Sequence, residues 1–90
     1  MNINVDKIKD IYGIDTLNLI KDNIKDIVNN IKYLEELGFS DVEDIFERYT
    51  LMFIYSKEEF KEKINYLINK LGNNYVEIIE NDLGILEELL

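Results

Sequence analysis

Two serines and three adjacent glutamate pairs are what this chain offers to catalysis. It has no histidine and no cysteine, so the commonest general base and the usual transition-metal ligands are absent. Ser40 and Ser56 each stand three positions before a glutamate, Glu43 and Glu59. That spacing is a capping box, in which the hydroxyl takes a backbone N–H at a helix start. Both serines therefore read as caps rather than nucleophiles. Glu35/Glu36, Glu58/Glu59 and Glu87/Glu88 are adjacent pairs. Paired carboxylates can relay protons or hold a hard cation, but neighbours one apart on a helix do not face each other. They read as solvated faces. No catalytic residue, metal site or cofactor is expected, and the chain reads as non-enzymatic.

Contact chemistry is better represented. Tyr33, Tyr49, Tyr55 and Tyr66 each join a flat apolar ring to a hydroxyl that wants water or a partner, and together they are candidates for one exposed binding face. The second candidate is acidic. Of the net charge of −9, residues 75–90 supply five negative charges and no positive one, with Glu80, Asp82, Glu87 and Glu88 flanking Leu83, Ile85, Leu86, Leu89 and Leu90. Those leucines either complete the core of the preceding segment or pair with another subunit.

The elements that must position these groups are helical. Residues 3–12 are expected to form a short amphipathic helix with Ile8 and Ile11 on one face, ended by Gly13. A single turn or short helix is expected over 16–20. Behind Asp22 as cap, a longer helix runs over about 23–37, with Ile24, Ile27, Val28, Ile31, Leu34 and Leu37 at three-and-four spacing. The pattern then returns, with a helix over 41–49, a short element over 50–55 and a long helix over 57–71. It begins once more at 75–82 and 84–90. Gly38 and Gly72 are 34 apart, as are Ser40 and Asn74. The apolar sets Ile8/Val42/Val76, Ile11/Ile45/Ile79 and Leu17/Leu51/Ile85 keep the same step, whereas Ile27/Phe60 and Ile31/Ile64 fit 33. The fold class is all-α. Its short right-angled repeats of about 34 residues, two and a half units over 6–39, 40–73 and 74–90, stack as a small α-solenoid or compact bundle. Phe39, Phe46, Phe53 and Phe60 recur every seven residues, but helix breaks interrupt them, so they read as core rather than as a coiled-coil seam.

A helix, a short apolar turn, a capped longer helix and then Leu-Gly resembles the repeat of the mitochondrial transcription termination factor (mTERF) family. Leu37-Gly38-Phe39-Ser40, Tyr49-Thr50-Leu51-Met52, Ser56 to Leu71, and Gly72 carry the resemblance. It implies a curved α-solenoid of three-helix units and a nucleic-acid-binding role. The chain departs from the family in having Thr16, Thr50 and Gly84 where a proline usually opens the middle helix, and in its acidity.

Ninety residues with 47% hydrophobic and 32% charged side chains fit one small folded domain, 1–90. The N-terminus lacks the apolar core of a signal peptide, and no run approaches a membrane span. A cytoplasmic, bacterial or phage protein is the expectation. A charge of −9 argues against direct nucleic-acid binding, which draws its affinity from lysine and arginine. The expected function is binding to another protein, as an adaptor or as an acidic inhibitor of a basic groove. The alternative is an mTERF-like nucleic-acid module, for which Lys21, Lys25, Lys32, Lys57, Lys61 and Lys63 would have to gather on one surface.

Overall fold

The computed structural model describes residues 5–90, with Val5, Lys7 and Ile8 described in the backbone alone. The elements are α1 (Val5–Tyr12), α2 (Ile14–Asp22), α3 (Ile24–Leu37), α4 (Val42–Arg48), a 3-10 helix η1 (Thr50–Ile54), α5 (Lys57–Leu71), α6 (Tyr75–Asn81) and a second 3-10 helix η2 (Leu83–Leu89). They repeat as helix, short middle element and long helix, then begin again. The expected start at residue 3 and the direction of the Ile8 side chain lie outside the described residues. Among those described the fold is all-helical, measuring 38 × 25 × 23 Å.

α3 is the centre of the packing and touches α2, α4, η1 and α5. Its buried set, Ile27, Asn30, Ile31 and Leu34, is matched on α5 by Phe60, Ile64 and Leu67. These pairs explain the slip in the repeat. α3 begins after Asn23 and α5 after Ser56, a step one residue short of the step between the glycines. α3 has 14 residues and α5 has 15, so the extra residue restores the longer period by Gly72.

Phe46, Phe53 and Phe60 come from three different elements and stack in series. The first pair lies edge to face with centroids 5.3 Å apart, and the second is tilted at the same distance. Their seven-residue spacing is no heptad, but it does deliver one ring per element to one core. Burying each ring is worth roughly 3 kcal/mol. Phe39 is buried as well. All four phenylalanines are core.

Glycine ends both long helices, by different geometries. Gly38 has φ 107° and ψ 8°. Its N–H donates to the Glu35 carbonyl while Phe39 N–H donates to Leu34. That pair of bonds is a Schellman motif, and it folds Phe39 back over the helix end. Gly72 has φ 83° and ψ −161°, a region that only glycine enters at low cost.

Several expected caps are different. Ser40 does not cap α4. Asp41 does, its carboxylate accepting from Asp44 N–H at 3.2 Å. The Ser40 hydroxyl is taken instead by Glu80, which accepts from it at 3.0 Å. Asp22 is the last residue of α2, and the following Asn23 turns its amide back to the Leu19 carbonyl rather than forward to α3. Asn74 precedes α6 without a side-chain cap bond. Ser56 does cap α5, accepting from Glu59 N–H at 3.3 Å. The short middle element of the first unit is also longer than expected, a full α-helix over Ile14–Asp22 that buries Leu17 and Ile20. Ile11, expected on a buried face, is exposed.

The C-terminal leucines finish the core. In a 3-10 helix residues three apart eclipse, so Leu83, Leu86 and Leu89 share one side of η2. Leu86 and Leu89 are buried and Leu83 packs against the cluster. Only Leu90 is left exposed.

Candidate interaction surfaces

The four tyrosines expected on one face are divided by the fold. Tyr33 leans from α3 onto α5. Its ring meets the edge of Phe60, its hydroxyl donates to Asn65 Oδ1 at 3.1 Å, and the Lys61 ammonium lies 5.2 Å from its centroid. Tyr55 is paired with Lys63 at 4.6 Å. Lys61 and Lys63 are two positions apart, so they leave α5 about 200° apart around its axis. Tyr33 and Tyr55 therefore stand at opposite edges of that helix. Tyr66 is 55% exposed, with Lys70 5.9 Å from its ring centroid. Tyr49 and Tyr55 do come together, in a groove of about 310 Å³ completed by Tyr12, Leu51 and Leu90.

Tyr12 and Leu51 escape sequence reasoning for identifiable reasons. Leu51 keeps the repeat register of buried Leu17 but sits on the outer side of a five-residue 3-10 helix. The Tyr12 hydroxyl lies 2.8 Å from the carbonyls of both Glu47 and Arg48, more than thirty residues away. No local spacing announces that contact.

The four acidic candidates have divided duties. Glu80 holds Ser40, Asp82 accepts from Gly84 N–H at 3.2 Å, and Glu88 pairs with Lys70 at 3.0 Å. Glu80 and Glu88 thus brace α6 and η2 against their neighbours, and Asp82 caps η2. The Glu87 carboxylate forms no hydrogen bond or ion pair among the described residues, and Glu87 borders a second groove with Ile11, Tyr12, Arg48 and Tyr49.

The electrostatics follow these placements. Tyr33 is raised above the ordinary phenol range, chiefly by burial and then by Tyr75. Tyr49 is also raised, first by burial and then by the Glu87 carboxylate, with Arg48 acting the other way. The hydrogen bond to Glu88 raises Lys70. Among the described residues no group of three or more acidic side chains could hold a metal ion, and no helix is long and apolar enough to cross a membrane.

The cations are also divided. Six of the ten lie on α3 and α5, where six acidic residues balance them, so the remaining elements hold the whole net charge of −9. Of the six lysines named as candidates for one surface, only the four on α3 and at its seam with α5 belong to one layer. Lys25 and Lys32 share the solvent side of α3, Lys57 opens α5 and Lys61 sits at the seam between the two helices. Lys63 is on the far edge of α5, and Lys21 belongs to the last turn of α2.

The sequence profile of the mTERF family matches residues 13–82. That span runs from the start of α2 to the end of α6 and contains both Leu-Gly helix ends. No curated protein and no solved structure matches the chain.

Proposed function

The chain belongs to the mTERF family, and on that premise we propose that it is a non-enzymatic nucleic-acid-binding module that reads backbone rather than bases. The observation that carries this reading is the layer formed by α3 and α5. These are the two longest helices, they pack side by side, and they are electrically neutral in a chain that is otherwise strongly acidic. Lys25, Lys32 and Lys57 are exposed there and form no ion pair among the described residues, and Lys61 stands beside them over Tyr33.

The arrangement bounds what such binding can be. Four lysines give a salt slope of about −3, taking 0.7 to 0.9 per phosphate contact. Tyr33 is not a stacking platform, because Phe60 meets its ring and Asn65 holds its hydroxyl. Binding then rests on phosphate contacts and its affinity is low, with the acidic remainder of the chain opposing approach. The acidic-inhibitor reading draws less support, since Glu80, Asp82 and Glu88 are engaged within the chain.

Fluorescence anisotropy with a labelled single strand and a labelled duplex tests this at low and physiological salt. Binding at low salt should fall with a log–log slope near −3. It should be abolished by combining Lys25→Glu, Lys32→Glu and Lys61→Glu, and be little changed by Lys63→Glu on the far edge. No binding of either probe at low salt, or equal loss from Lys63→Glu, overturns the reading.

A further inference from the structure

We infer that the groove between α1, η1 and the end of η2 is a docking site for an amphipathic, basic helix of a partner protein. The observations are independent of the nucleic-acid reading, because they lie on a different side of α5. Tyr12, Tyr49 and Tyr55 line the groove with Leu51 and Leu90, which are 47% and 61% exposed. It shares Tyr12, Arg48 and Tyr49 with the neighbouring groove, so the two are continuous, and Ile11, 57% exposed, extends the apolar strip. Exposed apolar side chains are ordinary singly, whereas three in one strip backed by tyrosines mark a contact surface.

Charge selects the occupant. Asp44, Glu47 and Glu87 stand along the groove against a single cation, Arg48. The Arg48 guanidinium beside them is already neutralised, its Nε lying 3.0 Å from Asp44 Oδ2. The Glu87 carboxylate has no hydrogen-bond or ion-pair partner among the described residues, and it lies close enough to Tyr49 to raise that phenol second only to burial. An occupant with leucine or phenylalanine on one face and lysine or arginine beside it satisfies both features, by the helix-in-groove mode with anchors at three-and-four spacing. Another copy of this chain matches poorly, since each carries −9. An acidic or neutral apolar helix would leave Glu87 unanswered.

The probe is a synthetic Lys/Leu amphipathic helical peptide, compared with a Glu/Leu peptide of the same pattern, and the readout is amide chemical shift in the full chain. The cationic peptide is expected to move Tyr12, Tyr49, Leu51, Tyr55 and Leu90, and the acidic one to move nothing. Glu87→Gln should weaken binding by about two- to fivefold, the range of an exposed ion pair. Leu51→Asp should abolish it while leaving the helical circular dichroism intact. Shifts centred on α6 instead of the groove overturn the proposal, as does equal binding of the acidic peptide. Concentration-dependent self-association through Leu51 and Leu90 would also overturn it, by making a second copy the occupant.

Discussion

The Asn30 side-chain amide donates to the carbonyls of Phe53 and Tyr55, at 2.9 and 3.0 Å, across a separation of more than twenty residues. Asn30 is 1% exposed. One buried amide thus satisfies two carbonyls at the end of η1, where the 3-10 helix stops and the chain turns toward Ser56. Asn30→Leu would keep the branched shape and leave both oxygens without that donor. At about 1–3 kcal/mol for an unsatisfied buried group, a loss of about 2–4 kcal/mol is expected in urea denaturation. Asn30→Asp should be at least as damaging, because it places an acceptor against acceptors.

Phe53 is the middle ring of the stack formed with Phe46 and Phe60. Phe53→Ala should cost about 3–5 kcal/mol. A domain of this size has about 5–15 kcal/mol to lose, so the variant should be largely unfolded at elevated temperature by calorimetry. Phe53→Leu, which retains most of the apolar contact, should lose less than half as much.

The exchange of roles between Ser40 and Asp41 predicts separable effects. Asp41→Ala removes the α4 cap and should cost about 1 kcal/mol, with no coupling to Glu80. Ser40→Ala should be coupled to Glu80→Gln in a double-mutant cycle, by about 0.5–1 kcal/mol. A Ser40 effect independent of Glu80 would return that hydroxyl to the capping role expected from its spacing.

Alkaline pH should destabilise the chain through Tyr33 and Tyr49. Both phenols are raised in the folded protein, chiefly by burial. A raised folded value contributes stability that is complete below the unfolded value near 10. It is lost as pH climbs through the folded value, because the unfolded chain releases its protons first. Stability measured by denaturant should therefore fall above about pH 10. The fall should be shallower in Tyr33→Phe and Tyr49→Phe.

Much of the architecture was legible because it rests on local rules. The glycines at 38 and 72, the apolar spacing of the long helices and the Ser56 cap are properties of a few consecutive residues, and each is where those rules put it except Ile24, which opens α3 exposed. What escaped depends on contacts between units. Ser40 and Glu43 have ideal capping spacing, yet Glu80 from the next unit outcompetes the backbone for the hydroxyl. Leu51 keeps the register of a core residue, but a 3-10 helix of five residues presents different sides than the α-helix at the equivalent place in the first unit. The tyrosines were recognisable as contact residues. Their division between the two edges of α5 followed from Lys61 and Lys63 lying half a turn apart, a consequence visible once the helix axis was fixed.

The ties between successive units differ in how deeply they are set, and that difference orders how the molecule comes apart. The seam from α3 to η1 and α5 is closed by Asn30, which is buried. The seam from there to the last elements buries Ile79, Leu86 and Leu89, but its polar ties, Ser40–Glu80 and Lys70–Glu88, are both open to water. Water can replace an exposed tie at little cost, but it must first enter the core to replace a buried one. Amide protons of α6 and η2 should therefore exchange by local opening, well before those of α3 and α5, which wait for the whole chain to unfold. Pulled from its C-terminus, the protein would peel back one unit and then resist.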